Sequence, residues 1–553
     1  MRLISDLAYL REHYGFDPIS DLLIPNIRLD APKMATPVIA RSDDGDEHVL
    51  TRQQELGNLL AQGIPSEQIT LFEGYVTLDP SLRQRSSAAS FAAAVAELAP
   101  SGPVHVDAGF PWSRYLALAA ERDVEVDPRD DAEAYLHGAY VAHTLDADSV
   151  LQTFARLRAA GPEVAARVIS AVPHLAGLAE EFVTDVDTRF SALEKLAAEL
   201  GITALLSSAP PNFSELTATP PAPGTYVLWV RDTGQLHVLT PDETYGVEGR
   251  PAGRFDDLAA AVTALAGDGA LGVEEHWLDT DIAQRLSAGG RVLIAGSMAL
   301  GAWRDHRDAE DLPFQIIAAR ASRYCIEGSL AYAREQLDTV GQVSEREVHR
   351  RYRELIHEFR IEHDIPFGIE PFFVNLHASD RSLYPGPPTD HLITSTTGSV
   401  KLDAGLKVTA SGVVLATSDM ARSLLTTDEG REGYEFFLKV VREDIISTLE
   451  AGRLCDQVHA DAVSAILDNR DRLIDLELLD PEIDFAAEYR KRNVGHLMGK
   501  QESFGIEFKP GHDIALPARS LGAAEIQWAF GRYGIGAEDM WYLGRDRTYI
   551  TSM

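Results

Sequence analysis

The sequence has few cysteines, a deficit of basic residues and no long hydrophobic run. Its 553 residues include two cysteines, Cys325 and Cys455, which are too few for a disulfide framework or a thiolate metal site. Both fall in helical patterns, and we expect them to be buried free thiols. No stretch of about 18 apolar residues is present, and charges interrupt the first turns, so neither a membrane span nor a signal peptide is predicted.

Acidic residues outnumber basic ones. Lysine and arginine together number 50 against 85 aspartates and glutamates, which gives a formal net charge of −35. A surface of this sign repels phosphate groups, so binding to nucleic acid or to an anionic membrane is not expected. The hydrophobic content of 45% is ordinary for a folded protein. These features favour a cytoplasmic globular protein of about two to four domains.

Two similar segments occur within residues 1–310. PVIARSDDGDEHVLT matches TYVLWVRDTGQLHVLT, with Gly45 and Gly234 at a predicted hairpin turn. Upstream, LAYLREHYGFDPISDLLIPN is aligned with ALEKLAAELGITALLSSAPPN, and in each a helix is predicted to end at a glycine. The pattern of each copy predicts a small α/β unit, so we expect two duplicated domains. His48 and His237, beside the turns, are expected to be structural or exposed.

Other local signals predict the elements that connect and follow these copies. Residues 127–185 have helical apolar spacing and are predicted to be connecting helices. The proline-rich run 209–224 is predicted to be an ordered loop. Further on, Ser344 and Glu347 have capping-box spacing ahead of an amphipathic helix. A β-rich section is predicted from residue 365 to residue 424.

Four acidic or imidazole positions in the last third of the chain are candidates for metal binding. They are Asp403 in VKLDAG, Asp419 in ATSDMARS, His496 in VGHLMG and Glu538 in GIGAEDMW. Each aspartate ends an apolar strand-like run, so both are predicted at strand ends in an antiparallel pair. The histidine is predicted in a glycine-flanked turn. Such a ligand set favours Mn, Fe(II), Co or Zn over copper; solvated side chains are the alternative.

The order of these motifs resembles that of the creatinase and aminopeptidase P family. The shared order is Asp-Ala-Gly, Ser-Asp with an arginine three residues on, Gly-His-x-x-Gly, Pro-Gly and Gly-x-x-x-Glu-Asp. The resemblance implies an α/β (α+β) protein with two tandem creatinase-type amino-terminal domains, 1–185 and 186–312. A carboxy-terminal pita-bread domain with a curved antiparallel sheet, 313–553, would follow. It also implies a homodimer and one or two divalent metal ions, Mn or Fe in the first place and Zn or Co as alternatives.

The resemblance also assigns the ligands. Asp419 and Glu538 would bridge both ions. Asp403 would complete the coordination shell of one ion and His496 that of the other. A fifth ligand, a glutamate, is expected after the Pro-Gly turn. Counting back from Glu538 places it at Glu525, and counting forward places it at Pro517, which cannot bind metal. An inserted loop costs less than the loss of a carboxylate, so we prefer Glu525; with Pro517, one ion would lose a ligand.

Two histidines that serve catalysis in the family's peptidases are missing. Tyr384 stands where a His-Tyr pair is expected, and Ser503 stands seven residues after His496, where a second histidine is expected. Their loss removes acid–base help worth about 10² to 10⁴-fold. Tyr384, as an oxyanion donor, and Glu502, as a base, are the catalytic candidates in their place, with His377 as a further substitute. A surface or packing role is the alternative for each.

Three functional interpretations are open. The first is a metal-dependent enzyme, diverged to act on a small amino-acid-like or peptide-like metabolite by C–N hydrolysis or by lyase or oxidative chemistry. The second is a conventional Xaa-Pro aminopeptidase. The third is an inactive pita-bread module used for binding. The missing histidines favour the first over the second, and the four retained ligand positions favour an enzyme over the third.

Overall fold

The computed structural model describes most of the chain in separate segments. The described residues are 1–14, 34, 37–52, 56, 59–60, 63–72, 87–129, 138–182, 187–241, 249–305, 308–379, 381, 388–490, 492–530 and 533–553. Tyr384, a catalytic candidate, lies outside them. Among the described helices, none combines the length and the apolarity needed to cross a bilayer.

The amino-terminal part is built on a six-stranded sheet. Its strands are β1 Arg2–Ile4, β2 Val38–Arg41, β3 Glu47–Thr51, β4 Ile69–Leu71, β5 Val104–Val106 and β6 Val124–Val126. Its helices are α1 Leu7–Tyr14, α2 Phe91–Leu98 and α3 Trp112–Ala119. The strands lie in the order β4-β3-β2-β1-β5-β6. Apolar residues of α2, α3 and the sheet form a separate small core.

A second, seven-stranded sheet follows. Its strands are β7 Tyr140–Leu145, β8 Ala204–Ser207, β9 Tyr226–Val230, β10 Gln235–Thr240, β11 Arg250–Phe255, β12 Leu271–Val273 and β13 Leu293–Ala295. The helices are α4 Ala147–Arg158, α5 Gly161–Ile169, α6 Arg189–Leu200, α7 Pro210–Thr217, α8 Leu258–Ala266, α9 Thr280–Ser287 and α10 Ser297–Asp305. The order across the sheet is β11-β7-β10-β9-β8-β12-β13.

The two sheets share a five-strand arrangement, as the repeated segments predict. The run β3-β2-β1-β5-β6 has the same order as β10-β9-β8-β12-β13. The pairings also have the same directions, with two antiparallel pairs followed by two parallel pairs. Gly45 and Gly234 occupy the matching hairpin turns with positive φ. The domain boundaries themselves stay predictions.

One part of the repeat alignment was wrong. The sequence comparison matched α1 with α6, but α1 follows the first strand of its sheet whereas α6 precedes the equivalent strand. By position in the sheet, α1 corresponds to α7. In both segments an amphipathic helix lies next to an apolar run. The pattern alone therefore did not show whether the helix precedes or follows the strand.

Two further local predictions were also wrong. Residues 140–145 form a strand inside the stretch predicted to be connecting helices; Tyr140 and Ala142 are buried with a period of two, which is a strand pattern. The proline-rich run contains α7, because prolines in the first turn of a helix remove no needed donor. The carboxylate of Glu274 accepts hydrogen bonds from the backbone N–H groups of Ser208 and Ala209 and so caps this helix.

The last part of the chain carries two large antiparallel sheets and a small two-stranded one. Its strands are β14 Gln342–Ser344, β15 Gly368–Ala378, β16 Leu392–Thr394, β17 Ser399–Ala410, β18 Val413–Thr417, β19 Met420–Leu425, β20 Gly495–Met498, β21 Glu502–Glu507, β22 Leu521–Phe530, β23 Tyr533–Leu543 and β24 Thr548–Ile550. The first large sheet has the order β15-β17-β18, with β19 also paired to β17; the second has the order β21-β20-β22-β23-β24. They contact each other through β19 and β23.

Helices cover these sheets. They are α11 Asp308–Thr339, α12 Glu345–Glu362, α13 Asp428–Lys439, α14 Cys455–Leu467, α15 Arg470–Asp475 and α16 Phe485–Tyr489, with a π-helical turn, Val440–Ile445, after α13. The predicted capping box is confirmed, because Ser344 and Glu347 exchange both hydrogen bonds at the start of α12. Cys325 and Cys455 are buried free thiols, as predicted.

A break between β18 and β19 shapes the first of these sheets. β17 pairs with β18 along one half and with β19 along the other, and residues 418–419 form the step between them. Gly405 lies opposite this step, and a Cβ there would sit 2.1 Å from the carbonyl oxygen of Ser418. The close approach therefore requires a glycine in the Asp-Ala-Gly motif.

We expect Gly405→Ala to destabilise the protein by about 1 to 3 kcal/mol, because the new methyl group overpacks a buried strand crossing. The measurement is the free energy of unfolding in urea. Gly109→Ala is the matched control, since a Cβ there meets its nearest neighbour at an ordinary 3.7 Å. Equal stability of the two variants would contradict the role given to Gly405.

Candidate metal centre

The first sheet places two aspartates on neighbouring strands. Asp403 lies in the middle of β17, opposite Ala421 of β19. Asp419 occupies the step before β19, so it lies two residues from that partner. Asp403 was predicted to end a strand, which was wrong: β17 continues to Ala410 because apolar residues keep alternating past the Asp-Ala-Gly motif.

The second sheet supplies the other candidate ligands. Glu525 on β22 and Glu538 on β23 are direct cross-strand partners, so their side chains leave the same face of the sheet. His496 lies on β20, next to β22. Its predicted position in a turn was wrong, because Gly495 pairs with Ala524 and the strand begins there. Pro517 precedes β22 and is not part of this face.

Three of these side chains converge. Ligand atoms of Asp419, His496 and Glu538 all lie within 4.8 Å of one another, and all three residues are buried. Nε2 of His496 is 3.6 Å from Oδ2 of Asp419 and 3.5 Å from Oε1 of Glu502. The structure therefore brings a base candidate, Glu502, to the same imidazole as the predicted ligands.

The protonation of His496 follows from its other nitrogen. Nδ1 lies 3.0 Å from the carbonyl oxygen of Leu497, which only accepts hydrogen bonds, so Nδ1 carries the proton in the neutral ring. The lone pair of Nε2 then faces two carboxylates. Such an arrangement is repulsive unless a cation or a proton lies between the groups. Two ligand atoms that share one ion at about 2.1 Å lie about 3 to 3.5 Å apart, which is close to the 3.6 Å between His496 and Asp419.

Glu538 gives an independent sign of a missing positive charge. Both of its carboxylate oxygens are buried, and neither has a hydrogen-bond partner among the described residues. A buried carboxylate without a partner costs several kcal/mol, so such groups normally bind a cation or hold a proton. The donor set of two carboxylates and one imidazole fits Mn, Fe, Co or Zn, with Asp403 and Glu525 as further oxygen donors.

The acids of the site raise one another's pKa values. Burial, followed by repulsion from Asp403 and Glu502, raises the pKa of Asp419 well above its usual range. Burial, Asp419 and Glu525 do the same for the pKa of Glu538. The pKa of Asp403 rises to about 6, because burial outweighs the attraction of Lys401. The site thus holds more negative charge than its own residues compensate.

Lys401 and Gln527 are site residues that sequence comparison did not identify. The lysine is buried on the same face of β17 as Asp403, with Nζ 4.0 Å from its Oδ2. Nζ donates to Oε1 of Gln527 at 3.3 Å, and Nε2 of Gln527 donates to Oδ2 of Asp403 at 3.2 Å. The signal was present, since residues two apart on a strand share a face, but a lysine there has no counterpart in the motif.

A network of ion pairs on the opposite face of β23 holds the strand that carries Glu538. Asp539, the next residue on β23, accepts hydrogen bonds from Arg422 and from Nε of Arg442, the latter at 2.7 Å. Burial raises the pKa of Asp539, but the two guanidinium groups outweigh it and lower the pKa below its usual value. Arg422 also donates to the backbone carbonyl of Glu538. The arginine of the Ser-Asp motif therefore fixes the strand that carries the glutamate.

His377 also lies near the site. It is buried and faces Lys401 across the β15–β17 pair. The predicted metal ligands, together with Glu502, occupy one region, whereas Pro517 does not. Their assignment as ligands and base stays a prediction.

No family model and no curated protein matches this sequence. Solved structures do match. The prolidase from Pyrococcus horikoshii OT3 has a TM-score of 0.52 at 16% identity, with 66% of this chain and 98% of that chain covered. The Xaa-Pro dipeptidase from Bacillus anthracis gives 0.50 at 18% identity, with 66% and 96% covered.

A third match differs in kind. The N-terminal domain of FACT complex subunit SPT16 from Cicer arietinum (chickpea) has a TM-score of 0.51 at 12% identity, with 67% of this chain and 97% of that chain covered. At these identities the matches establish the fold alone. The predicted fold class is confirmed: the chain is a mixed α/β protein with the pita-bread arrangement of the prolidases. The matched proteins are nearly covered in full, and about a third of this chain extends beyond them.

Stabilisation by Mn²⁺ is expected to increase with pH. The raised carboxyl pKa values mean that the metal-free folded state binds more protons than the unfolded state, so its stability falls as pH rises from the unfolded value of 3.8 through about 6 for Asp403 and further for Asp419. A bound cation removes this penalty. The measurement is the difference in Tm between Mn²⁺-loaded and chelator-treated protein at about pH 5.5 and about pH 7.5.

Because both forms share the same acidic surface, its contribution cancels in that difference. A difference in Tm that stays constant or shrinks with pH would contradict a cation site made of these carboxylates.

Proposed function

We propose that this protein is a metal-dependent enzyme that acts on a small amino-acid-like or peptide-like metabolite. The observation that carries the proposal is the buried convergence of Asp419, His496 and Glu538, whose ligand atoms lie within 4.8 Å of one another. Structural sites of this kind usually contain cysteine, whereas carboxylate-rich sites with one imidazole are typical of hydrolytic metal centres. Homodimer formation and a cytoplasmic location stay predictions.

The ligands and the neighbouring groups have separate tasks in this proposal. Asp419, His496 and Glu538 would hold the ion, and Asp403 and Glu525 would hold a second ion or complete the shell of the first. When bound, the metal lowers the pKa of a water molecule and polarises the substrate. The buried ion pair of Asp539 with Arg422 keeps Glu538 at a fixed depth. Lys401 and Gln527 contact the same oxygen of Asp403, and Asn375, its partner on β15, also forms a hydrogen bond with this carboxyl group.

Glu502 is the proposed base. Its Oε1 lies 3.5 Å from Nε2 of His496, so the carboxylate is beside the residues that would hold the ion. The carboxylate can accept a proton at Oε1, and the neutral carboxylic acid that results can donate this proton to a leaving group. This carboxylate would do part of the work of the absent histidines. Tyr384 stays a candidate for oxyanion stabilisation.

A small substrate is favoured by burial of the site. Asp419, Glu502 and Glu538 are each less than a tenth exposed, and His496 is 1% exposed. A long peptide needs an open groove, whereas a compact metabolite needs only a narrow entry. The five acids in this region also favour a substrate with a cationic group, such as an amine or an amidine.

A conventional Xaa-Pro aminopeptidase is the second candidate. The fold is the one found in a prolidase and in an Xaa-Pro dipeptidase. The same ligand set would serve peptide hydrolysis. The missing histidines are the feature that speaks against this activity.

An inactive binding module is the third candidate, since a domain of a FACT complex subunit has the same fold. It is disfavoured by energetics. A binding surface gains nothing from several buried carboxylates that repel one another, and substitution by apolar residues would remove that cost.

Asp419→Ala and His496→Ala are each expected to lower the bound metal by at least about tenfold, because each removes one ligand of the converging group. The measurement is metal content by mass spectrometry after reloading with Mn²⁺. Asp471→Ala is the matched control, since its side chain is fully exposed. Full metal content in both site variants would refute the ligand assignment.

Glu502→Gln is expected to keep its metal and to lose about 10² to 10⁴-fold in turnover, since the amide cannot accept a proton. The measurement uses a panel of small amino-acid amides and amidino compounds, with an Xaa-Pro dipeptide beside them. Turnover of a small compound with the dipeptide near background supports the proposal. Robust dipeptide turnover favours the aminopeptidase, and a metal-loaded protein with no turnover favours the binding module.

A further inference from the structure

A three-residue turn connects two groups of the metal centre. Residues 499–501 join β20, which carries His496, to β21, which begins at Glu502. Because the turn is so short, any shift of it moves the imidazole and the carboxylate together. The position of this turn therefore sets the geometry of one side of the site.

The backbone of the turn is tied to the strand that leads to Asp419. The carbonyl oxygen of Gly499 accepts three hydrogen bonds, from Nε2 of Gln315 at 2.7 Å and from the backbone N–H and hydroxyl of Thr417 at 3.0 and 3.1 Å. Thr417 lies two residues before Asp419. The same contact thus fixes Asp419 relative to His496 and Glu502.

The other side of the turn is held by α10, which follows the second sheet. The backbone N–H of Lys500 lies 3.5 Å from Oδ1 of Asp305, and a Cβ at Gly499 would be only 2.6 Å from that oxygen. Asp305 is itself bound by Arg304, which also donates to Oδ1 of Asn212 on α7 at 2.6 Å. Elements that belong with the second sheet therefore form one wall of the turn.

The side chain of Lys500 continues into this wall. Its ammonium donates to Oε1 of Glu215 on α7 and lies 3.9 Å from Asp311. Glu215 also pairs with Nη1 of Arg189 on α6 at 3.2 Å, and the Arg189 guanidinium lies 3.5 Å from the centre of the Phe154 ring. Lys500, Glu215 and Arg189 are at most 1% exposed. Buried ions in such a network have little freedom to move, because each depends on its partners.

We propose that Lys500, through its buried ion pair with Glu215, positions the turn 499–501 and with it His496 and Glu502. Lys500 and Glu215 are positioning residues, and the second α/β unit is a working part of the metal centre. The inference rests on the proposed function, since it takes the converging side chains to bind a metal ion. Groups that orient ligands from outside the coordination shell typically change metal affinity by about 10 to 100-fold.

The test compares metal affinity with stability in the full-length protein. Lys500→Met, Glu215→Gln and the double variant are stripped with chelator and titrated with Mn²⁺ in a calorimeter, and Tm is measured without metal. Lys195→Met is the matched control, because Lys195 belongs to the same unit and its side chain is 81% exposed. We expect about 10 to 100-fold weaker Mn²⁺ binding in each single variant, wild-type affinity in the control, and a double variant much less affected than the product of the single changes.

The alternative is an ion network that only stabilises the fold. In that case Tm falls while Mn²⁺ affinity stays within about threefold of the wild type, and the inference is overturned. Glu215→Gln keeps the size and an acceptor oxygen, so it decides the matter if Lys500→Met does not fold. A wild-type protein that takes up no Mn²⁺ overturns the proposed function itself, which is a different result from intact binding in the variants.

Discussion

The structure depends on the burial of more negative charge than its own cations balance. Asp403, Asp419 and Glu538 lie in the interior beside Glu502 and Glu525, and burial raises the pKa of the first three. Lys401 is the cation in direct contact with this group among the described residues. A fold that keeps such a cluster accepts a cost of several kcal/mol unless a cation or protons occupy it. The sheets, the glycine step and the ion networks around the site all serve to hold these groups together.

Strand alternation explains how this charge is separated from the charge that supports it. Glu538 and Asp539 are neighbours on β23, so their side chains leave opposite faces of the strand. One carboxylate faces the site without a hydrogen-bond partner among the described residues, and the other is fully paired with Arg422 and Arg442. The same two-residue period puts Lys401 and Asp403 on one face of β17. Adjacent acids in the sequence therefore have opposite electrostatic roles.

Much of the fold could be predicted from the sequence, because the informative signals were local. Hairpin glycines, the capping box at Ser344 and the alternating strands follow from chain geometry alone. Position along the chain was harder to predict where two elements had the same pattern, as with α1 and α6. The strand 140–145 was missed because it is short and directly precedes the helical run of α4. Prolines at the start of α7 looked like a loop because a helix start and a loop contain the same residues.

The candidate site was predictable to the level of residue type and motif order. Spacing could not choose between Glu525 and Pro517, since that choice depends on which residue lies opposite Glu538 across β22 and β23. Gln527 and the Lys500–Glu215 pair were not identified, because their importance arises from contacts between segments more than a hundred residues apart in the chain. Motif comparison finds the groups that can hold an ion. The groups that decide where those ligands stand come from elsewhere in the chain and become visible only in three dimensions.

The shared fold does not decide which function the site has, but the electrostatics of the site reduce the number of possible functions. A prolidase, an Xaa-Pro dipeptidase and a FACT complex domain all match this chain with nearly equal scores. An ion-binding site differs from the surface of an inactive binding module in keeping several acidic side chains buried close together. Here His496 has its Nδ1 committed to a carbonyl and its Nε2 turned toward two carboxylates. In a site that binds no ion, rotation of the imidazole ring or replacement of one acid would remove this unfavourable contact. Together with the oxygens of Glu538, which have no hydrogen-bond partner among the described residues, this contact supports the proposal that the site binds an ion.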